Sequence, residues 1–154
     1  MTAFLEIKAQ HALADAAFAA AEQKAFDDDN YLEFDLAIRA RQRNDQAYFL
    51  FLFTRLEHAV NAAVETLLAA RLFATPAWSE RRIWQAWARG PVRDVWLLSK
   101  VEVLTDKSHP DYAQIKEYYD GRNKIAHGGI WEAQFFIASI AQTMHDIVQR
   151  FVVA

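Results

Sequence analysis

Apolar positions along this chain recur at steps of three and four, the period of a helix with one buried face, and show no alternation of the strand kind. The clearest run lies between Tyr31 and Phe73, which contains neither proline nor glycine. Within it Phe49, Leu52, Leu56, Ala59, Ala63, Leu67 and Ala70 fall in one stripe, and Phe53, Val60 and Val64 widen it as a central bundle helix requires. Asn44-Asp45 is the weak point, so the run reads as one very long helix or as two meeting at a kink. Upstream, residues 2–26 are alanine-rich, with Phe4, Leu5, Ile7, Leu13 and Phe18 at helical spacing. Asp27-Asp28-Asp29-Asn30 then offers side-chain oxygens to cap the helix that starts at Tyr31.

Downstream, Thr75-Pro76 ends the long run. Ser79 is placed to cap a short helix carrying Trp84 and Trp87 as far as Gly90-Pro91. Residues 92–104 predict another short helix. Ser108-His109-Pro110-Asp111 opens one that reaches about Asp120, where Gly121 is placed to interrupt it. A final helix is expected from near Ile130, after Gly128-Gly129, with the stripe Ala133, Ile137, Ile140, Met144, Ile147 and Phe151. Together these elements predict an all-α fold, an up-and-down bundle of four to six helices in one domain spanning 1–154.

Composition agrees. A chain of 154 residues is long enough for one domain with a real core, and 53% apolar against 24% charged residues sets it apart from disordered proteins. The absence of cysteine excludes a disulfide scaffold, a thiolate metal site and a cysteine nucleophile. The first residues lack the basic start of a secretory signal, and no window reaches the ~18 consecutive apolar residues of a membrane span. A cytoplasmic protein without membrane contact is therefore expected. Net charge is −3, but it is unevenly spread. Residues 1–35 carry two lysines against eight acids, whereas residues 71–100 carry five arginines and one lysine against two acids. Screening over ~8 Å keeps such fields local, so a basic patch on an acidic protein can still hold a phosphate backbone. Arg81, Arg82, Arg89 and Arg93 are the candidates in that region for RNA contact, unless they form a merely solvated face.

The densest polar segment is Asp120-Gly121-Arg122-Asn123-Lys124-Ile125-Ala126-His127-Gly128-Gly129. Arginine offers a fork of donors to phosphate oxygens, and histidine exchanges a proton near neutral pH. RNA carries its own nucleophile, the 2′-hydroxyl, so Arg122 and His127 would suffice for cleavage without metal or other cofactor, leaving a 2′,3′-cyclic phosphate and a 5′-hydroxyl. Asn123 would orient the imidazole or hold a second phosphate oxygen, and Lys124 would add a backbone contact. Five residues on a regular helix place Arg122 and His127 ~140° apart, whereas Asn123 and His127 share a face. The neighbouring glycines give the backbone freedom to bring Arg122 round toward His127. The plainer alternative makes His127 a helix C-terminal cap and Arg122 a partner of Asp120 or Glu117.

The string Arg122-Asn123 … His127-Gly128 resembles the signature of HEPN domains: an arginine, a polar residue, three variable residues and a histidine. The resemblance covers six residues directly, and the all-helical setting and the motif's place before the last long helix extend it. It implies a HEPN-like bundle that dimerises so that two motifs meet across a two-fold axis. It also implies a metal-independent endoribonuclease of the toxin–antitoxin or phage-defence kind, with RNA, a second copy, and an antitoxin or defence protein as partners. Some HEPN domains bind RNA or a protein partner without cutting, which is the alternative reading. One position departs from the pattern: toxins silenced by nucleotide transfer carry a tyrosine two residues after the histidine, where this chain has Gly129.

Two further sets are candidates. His58, Asn61 and Glu65 lie at helical spacing and would line the same cleft as a second polar cluster, with Glu57 or Glu65 bracing Arg122, unless they are simply an exposed helix face. Trp78, Trp84, Trp87 and Trp96 recur near arginines; packing is their plainer use and stacking on bases the other. His11, His109 and His145 show no metal-ligand spacing to another histidine or acid strong enough to count as a site, so no metal is expected.

Overall fold

In the computed structural model, which describes residues 2–74, 77–131 and 136–153, the regular elements are six α-helices and one 3-10 turn, with no strand among the described residues. The helices are α1 (Ala3–Asp27), α2 (Tyr31–Ala74), α3 (Trp78–Trp87), α4 (Leu97–Leu104), α5 (Pro110–Ala126) and α6 (Ile137–Val153), and the turn is Val92–Asp94. The all-α class follows from the helical period of the apolar positions.

Local chemistry explains most boundaries. Asn30 caps α2, its Oδ1 accepting the Glu33 N–H at 3.3 Å. Just before it, α1 ends in a Schellman turn: the Asp29 N–H donates to the Phe26 carbonyl and the Asn30 N–H to the Ala25 carbonyl, with Asp29 at φ 51°. Aspartate tolerates that left-handed position better than most residues do. The chain passes Asn44-Asp45 without a break, so the run is one helix of 44 residues. Pro110 takes the first position of α5, where a missing N–H costs nothing; the cap is His109, whose Nδ1 lies 3.2 Å from the Asp111 N–H.

Four boundaries differ from the sequence expectation. Ser79 does not cap α3, which starts one residue earlier behind Ala77. Residues 92–104 do not form one helix: Val92 is buried against Val64 and Leu68, and Val95 and Trp96 are extended before α4 begins. Gly121 does not interrupt α5, which runs on to Ala126. The final helix starts at Ile137, with Ile130 and Trp131 outside it; Thr75-Pro76 and Ala133 lie outside the described residues.

Contacts group the chain into two units. Residues 1–55 and 120–146 form the first. Its buried side chains include Phe4, Ala25, Phe49, Leu52 and Phe53 with Ile137, Ile140, Ala141 and Met144. The Trp131 ring packs on Phe49 with centroids 4.8 Å apart. Against that indole lies Gly121: a Cβ built there would sit 2.6–2.8 Å from three ring atoms. Glycine is required for its size, inside a regular helix. Residues 56–119 and 147–154 form the second unit. Its part of α2 buries Leu56, Val60, Val64 and Leu68 at steps of four, so the branched residues expected to widen the stripe are its centre. Ala59, Ala63, Leu67 and Ala70 instead line a cavity of about 560 Å³ with Trp84, Leu104 and Phe151.

Candidate functional site at the end of helix α5

The last turn of α5 carries the Arg–Asn–His segment, and hydrogen bonds fix its geometry. The His127 N–H donates to the Asn123 carbonyl (3.0 Å), Gly128 N–H to Ile125 (3.0 Å) and Gly129 N–H to Lys124 (2.9 Å). With Gly128 at φ 79°, this is a second Schellman turn, and His127 is the residue at the helix cap. The glycines therefore terminate the helix cleanly; they do not swing Arg122 toward His127. The side chain of His127 is exposed. Arg122 is half-buried and donates from Nη1 to Asn123 Oδ1 at 3.1 Å. Asn123 is thus the link: its side chain holds the guanidinium, and its helical position shares a face with His127. Lys124 is exposed beside them. Position 129 admits no side chain without displacement, because a Cβ there would lie 2.9 Å from the Lys124 carbonyl oxygen.

The polar set on α2 is organised around a residue the sequence did not single out. Lys100 of α4 is buried (4% exposed) and donates from Nζ to Asn61 Oδ1 at 2.7 Å. Burial pushes its ammonium below the usual lysine range, opposed by the negative charges of Glu57 and Asp94. Asn61 therefore receives the Lys100 ammonium, while His58 and Glu65 are exposed.

The arginines divide as well. Arg82 is exposed and lies over the Trp78 ring, 5.2 Å from its centroid; Arg71 stands 5.8 Å over Trp84. Arg89 is exposed, and Arg93 is exposed with Nε 3.6 Å from Asp94. Arg81 is half-buried, its Nε without a partner among the described residues. Trp84 and Trp87 pack on the Val64, Leu68 and Val92 cluster, as the packing reading expects, whereas Trp78 and Trp96 are exposed.

A charged network in the first unit lies outside every motif. His11 Nε2 meets Asp45 Oδ1 at 2.7 Å, and Arg41 grips both oxygens of Asp15 at 2.6 and 2.9 Å while reaching Glu22 at 3.2 Å. The Arg41 hydrogen bonds hold the Asp15 carboxyl below the ordinary aspartate range. Ligand atoms of His11, Asp15 and Asp45 lie within 4.8 Å of one another, but the arginine fork places a positive charge where a cation would bind. The only sequence signal was the i, i+4 spacing of His11 and Asp15, which says nothing about Asp45, 34 residues from His11.

Compared with known families, curated proteins and solved structures, this chain matches none of them.

Proposed function

We propose that the chain is a metal-independent endoribonuclease of the HEPN type, acting as a homodimer in a toxin or phage-defence role. The observation that carries this is the end of α5: an exposed His127 at a glycine-closed cap, with Asn123 on its face holding Arg122 at 3.1 Å. The ~140° between Arg122 and His127 on the helix leaves each motif half a site, so a second copy completes it. Large exposed apolar side chains in the same unit, Leu13, Phe26, Leu32 and Phe51, are surface of the kind an oligomer covers.

In the reaction, His127 takes the proton of the RNA 2′-hydroxyl as its oxygen attacks phosphorus. Arg122 offsets the charge growing on the phosphoryl oxygens. The bond to the 5′-oxygen breaks, and that oxygen receives a proton from His127 of the partner subunit, giving the 2′,3′-cyclic phosphate and 5′-hydroxyl ends. The test is cleavage of RNA in excess chelator. Arg122→Ala and His127→Ala are each expected to lower the rate at least ~100-fold, the usual worth of a general acid or base. Cleavage that survives both substitutions refutes the mechanism. A non-catalytic RNA-binding module is the second reading, favoured by the exposed Arg82 and Trp78 of α3 and the exposed Arg89 just beyond it; it predicts salt-sensitive binding without products.

A further inference from the structure

Helix α3 has ten residues and buries none of them, yet its two sides differ sharply. One side is committed to the fold, because Trp84 and Trp87 rest on the Val64, Leu68 and Val92 cluster. The other carries Trp78, Arg82, Gln85 and, just past the helix, Arg89, at steps of four and three. Trp78 is 64% exposed, although the Arg82 guanidinium covers part of its ring from 5.2 Å. Ile83, also exposed, adjoins this face, and together these side chains border a concavity of about 630 Å³.

We propose that this face of α3 is a platform for single-stranded RNA, one that stacks an unpaired base on Trp78 and holds the adjoining phosphates with Arg82 and Arg89. Charge selects a polyanion: the stretch 71–100 is strongly basic within a chain of net charge −3. The pairing of ring and guanidinium selects a single strand, since only an unpaired base offers a free π-face to an exposed indole. An anionic membrane is the weaker partner. Ten residues form a short interfacial helix, its two inner indoles are already turned to the protein, and the outer indole shares its face with two arginines. From Trp78 to Arg89 the stripe spans ~16 Å, room for about five nucleotides at the ~3.4 Å spacing of a stacked strand.

The proposal shares its partner class with the reading above, so its test is chosen to stand apart from cleavage. The probe is a fluorescent oligouridylate with methylated 2′-oxygens, which lacks the internal nucleophile. Its binding to the full chain is followed by anisotropy across a salt series. Trp78→Ala is expected to weaken binding about tenfold, within the range for loss of one stacked base, with Trp78→Phe restoring most of the loss. Arg82→Ala should flatten the salt dependence by about 0.7 in log–log slope, one phosphate contact on a single strand. Both side chains are exposed, so circular dichroism should show the fold unchanged. Unaltered affinity in both alanine variants overturns the platform, as does equal affinity for a duplex. Adsorption to phosphatidylcholine–phosphatidylserine vesicles without strand binding overturns it in favour of a membrane surface. Trp78-dependent binding by a protein that never cuts RNA upholds the platform and removes the ribonuclease reading; cleavage that is lost with His127, alongside binding indifferent to Trp78, does the reverse.

Discussion

Gly121→Ala separates two accounts of the same glycine by the sign of its effect. If Gly121 were an ordinary helix-interior glycine, alanine would stabilise α5 by ~1 kcal/mol through propensity alone. The structure demands the opposite. A Cβ would stand 2.6 Å from the nearest Trp131 ring atom, so the indole would have to retreat by about 0.8 Å to reach ordinary contact, away from Gly121 while still packed on Phe49. Forced repacking of this kind costs ~1–3 kcal/mol. Set against the propensity gain, a net loss of up to ~2 kcal/mol remains, or a fall in Tm of up to ~8 °C for a chain of this size. Urea unfolding followed by tryptophan fluorescence measures it, with an unchanged m-value expected. Pairing the substitution with Trp131→Ala should remove most of the penalty, so the double variant would lose ~1–2 kcal/mol less than the two single losses added together. A Gly121→Ala protein at least as stable as the parent refutes the packing account.

Other outcomes follow from the same geometry. Gly128→Ala forces a β-carbon into φ 79° and should cost ~1–2 kcal/mol, whereas Asp29→Gly relieves a φ of 51° and should gain up to ~1 kcal/mol; thermal melts of both variants check the pair. Asn61→Ala leaves the buried Lys100 ammonium with only the Arg93 carbonyl, at 3.5 Å, and should cost ~1.5–3 kcal/mol in urea unfolding, a loss largely absent when Lys100→Met accompanies it. Asp15 has a carboxyl held below its unfolded value, so its ion pair contributes stability above pH ~4 that disappears as pH falls through the folded-state pKa. The stability gap between the parent and Asp15→Asn, on the order of 1 kcal/mol at neutral pH, should therefore close in acid; a gap constant with pH would show that the Arg41 contact is not its source.

What the sequence reveals here is whatever depends on neighbours within a turn or two. The helical period, the Asn30 cap and Pro110 at the head of α5 are all local, and each stands where the pattern puts it. Gly121 misleads because a glycine is read by its conformational freedom, while its partner is a ring ten residues further on. The stripe on α2 is shifted because alanines satisfy the period as well as valines do, but the larger side chains take the interior. Lys100 looks like any surface lysine until Asn61, 39 residues away, is seen to receive it. The Arg122–His127 segment is legible as chemistry, and the structure adds the cap that fixes its backbone; the intrachain approach imagined from the glycines is replaced by a link through Asn123.

The first unit also has a kinetic consequence. Its contacts come in two classes of chain separation: Arg41 meets Asp15 across 26 residues, whereas Thr2 and His145 come together across 143. Loop-closure entropy makes the second class more costly by about 1.5 kcal/mol before any packing is gained. The α1–α2 hairpin, with its short link and dense ion pairs, is thus the natural early structure, and the segment that contains Arg122 and His127 is recruited to it late. On a ribosome the delay is longer still. The hairpin can form soon after synthesis of α2, while the motif is translated only after the whole of residues 56–119, so any activity at the end of α5 is acquired only once that stretch has been made.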